Sequence, residues 1–192
     1  MNRATPNKTA KGVAAAFYAQ LLARKGHPRA AAPFSIFEDP ASAETPSFAQ
    51  VYNYVYRIFK QTRTEPECLL VSVCYINRFQ LISGCLLTPQ TFARLVFVGI
   101  MVASKVWDDR SCSSHSFAQC SDAFTLRELN QMELVFCRAL DYRLFLMPSD
   151  YSVFYYGLRR LGLSLKTDSN LRVLGWADAD AGSQSVTTSW NQ

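Results

Sequence analysis

The chain is built from long stretches of helical apolar period separated by short breaks, and nowhere does it alternate at the two-residue period of a strand. In FAQVYNYVYRIFKQTR, which starts at residue 48, Phe48, Val51, Tyr52, Val55, Ile58 and Phe59 recur at helical spacing. Gln50, Asn53, Arg57 and Lys60 take the opposite side. Pro66, suited to a first helical turn, opens PECLLVSVCYINRFQLIS, apolar around most of its circumference. Thr88 and Pro89 supply a cap and a first-turn proline for a third helix, PQTFARLVFVGIMVASKVW. That helix is apolar on all sides for nearly three turns, so it is expected to be central and buried. A loop with a short helix is expected over 108–124. A Thr125-x-x-Glu128 capping box starts the next helix, which runs to about Asp141. A last helix follows Pro148 and ends near Gly162.

Outside this run, VAAAFYAQLLARKG (residues 13–26) predicts one short helix ending at Gly26, and residues 27–47 show no sustained period. The expected organisation is a basic N-terminal segment over 1–45 with one short helix and a linker. A helical domain follows over 46–162, then a polar tail over 163–192, expected to be disordered. The fold class is all-α: five core helices with flanking N-terminal and C-terminal helices.

Charge sharpens this division. Residues 1–37 hold Arg3, Lys8, Lys11, Arg24, Lys25 and Arg29 and no acid, leaving 14 basic against 15 acidic residues in the rest of the chain. A near-neutral body argues against a nucleic-acid groove. The basic, acid-free start over residues 1–37 has the composition of a mitochondrial presequence. The competing reading is a helix that packs on the domain and covers its apolar sides. No apolar run is long enough to span a membrane. The six cysteines form no CxxC pair, and Cys68, Cys74 and Cys137 fall in apolar helical patterns, as expected of a reduced intracellular protein. Cys112, His115 and Cys120 mimic part of a zinc set without a fourth ligand, so neither a metal nor a cofactor is expected. With two histidines, no Gly-rich phosphate loop and no nucleophile motif, the chain is not expected to be an enzyme. Asp108-Asp109, a close carboxylate pair, reads as a solvated turn or cap.

One residue breaks the pattern. On a helical wheel of 125–140, Leu126, Leu129, Met132, Phe136, Cys137, Ala139 and Leu140 gather on one face, and Glu133 falls among them. A carboxylate there needs a cation. Lys105, at the end of the central helix, is the candidate: a cation is favoured at a helix C-terminus, and its stem lies along apolar surface. Lys105 and Glu133 are therefore expected side by side. The pair is either an internal ion pair that fixes helix packing, or a half-covered pair whose spare donors and acceptors anchor another protein's backbone.

At this point the residues carry a family resemblance. SVCYINRF (72–79), MVASKVWDD (101–109) and LNQMELVFCRALDYRL (129–144) resemble stretches of a cyclin box. YRIFKQTRTEPEC and FLMPSDYSVFYYGL resemble the single-box cyclins of the P/U type, related to the yeast phosphate-pathway cyclin. The resemblance implies a five-helix cyclin box over 46–162 and a regulatory subunit that activates a cyclin-dependent serine/threonine kinase, in the cell cycle or nutrient response. Such a protein is expected in the nucleus, the cytoplasm or both. By the same resemblance Lys105 and Glu133 bind backbone groups beside the kinase's regulatory helix, with Val102, Val106, Cys137, Tyr142 and Leu144 as apolar neighbours. A substrate groove would use Phe48, Val51 and Tyr52. Two positions depart from the family: Ala49 stands where an arginine docks substrates, and Asn77 replaces the aspartate that pairs with it. The alternative is a cyclin-fold transcription or adaptor module without kinase activation, which requires a basic face on the box.

Overall fold

The computed structural model describes residues 6–23, 34–42 and 44–164. Among them are seven α-helices, one 3-10 turn and no strand: α1 (Pro6–Ala23), the turn Phe34–Phe37, α2 (Phe48–Thr62), α3 (Pro66–Ser83), α4 (Pro89–Trp107), α5 (Ser114–Gln119), α6 (Leu126–Ala139) and α7 (Pro148–Ser164). The tail expected to be disordered lies, from residue 165 onward, outside the described residues.

Local chemistry sets the boundaries. Ser47 and Gln50 cap α2 reciprocally: Gln50 N donates to Ser47 Oγ (3.3 Å), and Ser47 N donates to Gln50 Oε1 (2.7 Å). Thr91 Oγ1 accepts from Thr88 N (2.9 Å) and donates to Leu86 O (2.7 Å), tying the start of α4 to the preceding loop. The capping box of α6 forms as expected, with Thr125 N donating to Glu128 Oε2 (2.9 Å) and Glu128 N to Thr125 Oγ1 (3.3 Å).

The core is centred on α4, where every residue from Leu95 to Ser104 is buried. It packs most intimately on α3: a Cβ at Gly99 would lie 2.7 Å from Ile76 Cδ1, so any larger residue requires the Ile76 side chain to shift. Phe79 of α3 stacks on Phe136 of α6 with centroids 4.8 Å apart. Phe37, fully buried, meets both rings edge-on at 5.3 and 6.4 Å. The segment expected to be plain linker therefore inserts an aromatic plug. Arg94 Nη1 donates to Ile36 O (3.1 Å) and Asp39 N to Gln90 O (2.8 Å), holding the plug against α4.

The first helix also differs from expectation. It starts at Pro6 instead of residue 13, and within the described residues it runs to Ala23; the expected end at Gly26 lies outside them. Ala10, Val13, Ala14, Phe17 and Leu21 are all fully buried, so α1 is part of the core it was expected to cover. It packs against α2, α3 and α7. Gly12, a poor helix former that hides the early start, brings α1 against α7: a Cβ there would be 3.1 Å from Leu158 O. Gln20 extends a buried amide network, Gln20 Nε2 donating to Asn77 Oδ1 (3.1 Å) and Gln80 Nε2 to Gln20 Oε1 (2.8 Å).

Candidate functional site

The end of α4 and the middle of α6 meet as the wheel requires. Lys105 Nζ lies 2.6 Å from Glu133 Oε1 and 2.7 Å from Oε2. Their side chains are 26% and 24% exposed, so the pair is neither sealed in the core nor free in solvent. Each charge thus keeps part of its surface at the solvent boundary while lying along the seam of α4 and α6. A third group completes the arrangement. Lys105 Nζ donates to Ser114 Oγ (2.6 Å), and Ser114 Oγ donates to Glu133 Oε2 (3.3 Å). Ser114 opens α5, whose neighbour Ser113 caps it by accepting from Ser116 N (3.2 Å). No periodic signal marks Ser114 among the serines of RSCSSHS, and the sequence reading missed it.

Around the pair the expected apolar neighbours divide into floor and rim. Val102 is 2% exposed and Cys137 8%, so they support the charges from beneath. Val102 is thus corrected from surface contact to core packing. Val106 and Tyr142 are exposed, and Leu144 is half-buried. Burial pushes the Cys137 thiol up to about 11, with the Glu133 charge adding to the rise and Lys105 opposing it, so it stays protonated near neutral pH.

The rim segment is fixed by its backbone. α6 ends in a Schellman arrangement, Tyr142 N donating to Cys137 O (2.9 Å) and Asp141 N to Arg138 O (3.0 Å). Asp141 and Tyr142 have φ of 50° and 54°, which turn the chain sharply out of the helix. Arg78 Nη1 then donates to Arg143 O (2.6 Å). The Tyr75 hydroxyl donates to Leu144 O and accepts from Trp107 Nε1 (2.7 Å). One buried phenol therefore joins the end of α4 to the rim segment.

The other expected residues lie elsewhere. Phe48 and Tyr52 are half-buried on α2, but Val51 is fully buried and does not line a groove, a correction caused by α1 packing beside α2. Ala49 is exposed, and Asn77 spends its carbonyl on Gln20 instead of an arginine. Cys112 Sγ donates to Thr62 O (3.3 Å) and Cys120 Sγ to Gln61 O (3.6 Å), while His115 Nε2 meets Gln119 Nε2 (3.1 Å). Among the described residues no group of His, Cys, Asp and Glu is arranged to hold a metal ion. Asp108 acts locally, accepting from Arg110 N (3.0 Å) and Glu65 N (3.4 Å). No helix among the described residues is long and apolar enough to cross a membrane.

The cyclin family model matches residues 5–144, from the start of α1 into the rim segment. The chain belongs to the cyclin family. Among curated proteins, this cyclin is 32% identical to Cyclin-U3-1 of Arabidopsis thaliana over 107 residues, 56% of this chain and 48% of that protein. It is 28% identical to Cyclin-U4-1 of Arabidopsis thaliana over 111 residues, 57% of this chain and 54% of that protein. The chain thus spans about half the length of the curated relatives it matches. Both relatives are cyclins of the P/U type, the type that the motifs of the box resemble.

Proposed function

We propose that this cyclin is a regulatory subunit that binds and activates a cyclin-dependent serine/threonine kinase and has no catalysis of its own. The observation that carries the reading is the Lys105–Glu133 pair: a 2.6 Å contact with both side chains about a quarter exposed. An ion pair sealed in a core gains little, because desolvation offsets the attraction. A pair left partly open keeps acceptor capacity for a partner's backbone and can exchange its donors to it. The three donors of the ammonium are met by the two carboxylate oxygens and the serine hydroxyl, and the carboxylate has lone pairs to spare.

The mechanism is a population shift. A kinase alone favours an orientation of its regulatory helix that misplaces a catalytic glutamate, and a rigid partner that binds the active orientation better moves the balance. Shifting 1:99 to 99:1 requires about 5.5 kcal/mol of differential affinity. Two charged anchors on a rigid seam, flanked by exposed Val106 and Tyr142, supply the central contacts of such an interface.

The test is affinity capture from cell extract with wild type beside a Lys105→Ala/Glu133→Ala double variant, each checked by thermal melting. One kinase is expected to be lost from the double variant while the fold persists. Equal recovery of the kinase by both proteins refutes the anchor role.

A further inference from the structure

Between α6 and α7 the chain passes over α3, and α3 side chains hold it there. The backbone N–H groups of Asp141, Tyr142, Arg143 and Leu144 donate to carbonyls within 137–142, so they shape the turn and tie it to no helix but α6. Three carbonyls of this rim segment are met from α3 instead. The Tyr75 hydroxyl donates to Leu144 O. Arg78, one turn further along the same face, donates through Nη1 to Arg143 O (2.6 Å) and reaches Phe145 O (3.5 Å).

The two tethers differ in kind. Arg78 is half-buried and grips the segment from its edge. Tyr75 is fully buried, and its hydroxyl also accepts from Nε1 of Trp107 (2.7 Å), the last residue of α4. Burial pushes the phenol up to about 12, with the Trp107 N–H opposing the rise, so it keeps its proton near neutral pH and makes both bonds at once. Phenylalanine fills the same space but leaves a carbonyl and an indole N–H unmet.

These bonds fix a spacing between elements. Tyr142 and Leu144 ride on the rim segment, and Lys105 lies two residues before Trp107 on α4. Tyr142 is exposed and Leu144 half-buried, whereas Tyr75 has no exposed surface with which to touch a partner. Any effect of the Tyr75 hydroxyl on binding therefore passes through Leu144 and Trp107. A surface already held in its bound form avoids the cost of being ordered on association.

We propose that Tyr75, helped by Arg78, is a positioning residue for kinase binding, an assignment that rests on the kinase reading. Its hydroxyl locks the rim segment to the end of α4, so that Tyr142 and Leu144 stand ready beside Lys105 and Glu133.

The test uses the full chain and the purified kinase recovered in the capture experiment, with affinity followed by biolayer interferometry and backbone opening by hydrogen–deuterium exchange. Tyr75→Phe is expected to weaken binding about tenfold. It is also expected to speed exchange over 142–146 in the unbound chain, while α6 around Glu133 exchanges as in wild type. Arg78→Met loosens the same segment without opening the core and is expected to weaken binding about threefold. Val55→Ala makes a cavity in α2, which packs on α1; it is expected to lower the melting temperature and leave binding within about twofold of wild type. Unchanged affinity in Tyr75→Phe overturns the inference, as does unchanged exchange over 142–146. So does a loss of binding in Val55→Ala as large as that in Tyr75→Phe, which makes the effect one of stability alone. If Tyr75→Phe does not fold, Arg78→Met decides by the same two measurements. Lys105→Ala/Glu133→Ala separates the two levels: if it binds as well as wild type, the kinase reading falls and this inference with it. If it loses the kinase while Tyr75→Phe keeps it, only the positioning role falls.

Discussion

Ser114 is the smallest part of the anchor site and the one that orients it. Its hydroxyl lies 2.6 Å from the Lys105 ammonium and 3.3 Å from Glu133 Oε2, so it bridges both charges. Ser114→Ala removes that bridge and leaves the direct ion pair in place. A lost hydrogen bond at a partly exposed site costs about 1 kcal/mol, so the melting temperature is expected to change little. Kinase capture is expected to fall several-fold, between wild type and the Lys105/Glu133 double variant, in a titrated pull-down. At this scale the sequence is legible where a residue contradicts its surroundings. Glu133 on an apolar face pointed to Lys105 directly. Ser114 contradicts nothing in its serine-rich loop, and only the fold selects it. Val51 and Val102 were misplaced for the converse reason: a wheel shows which face is apolar, not where a neighbouring helix ends.

For elements, the punctuation proved the readable part. Pro66, Pro89 and the Thr125 box mark the starts of α3, α4 and α6 where the structure has them. The Thr125 backbone N–H and hydroxyl, with Arg94 adding attraction, hold the Glu128 carboxyl below the ordinary glutamate range. A lowered folded value means the unfolded chain takes up its proton first as the pH falls. The box therefore contributes its full stability above the ordinary value and loses it as the pH drops through the folded one. Thr125→Ala is expected to cost about 1 kcal/mol near neutral pH by urea titration. The gap between wild type and variant is expected to shrink as the pH falls through and below the ordinary glutamate range. Two elements escaped the sequence reading. The turn Phe34–Phe37 is too short to show a period, and its purpose rests on one ring. The first two turns of α1 were hidden by Gly12, whose low propensity is outweighed by the contact it permits.

For the whole molecule, the unpredicted turn and the helix α1, foreseen only from residue 13, are what complete the box. α1 closes one side against α2, α3 and α7, and Phe37 packs edge-on against the stacked rings of Phe79 and Phe136. Phe37→Ala leaves a cavity between packed rings and is expected to destabilise by about 3–5 kcal/mol, measured by chemical denaturation. A cost under about 1 kcal/mol means the surrounding rings collapse into the space and the plug is dispensable.

The closeness of Gly12 to the Leu158 carbonyl also bears on how the chain is made. The two residues are separated by 146 positions, almost the full described length, so α1 can meet α2 and α3 early but lacks its third partner until α7 has been made. Until then the side of α1 around Gly12 stays unburied and exposed to chaperones. The last contact of the first helix therefore waits on synthesis of the seventh.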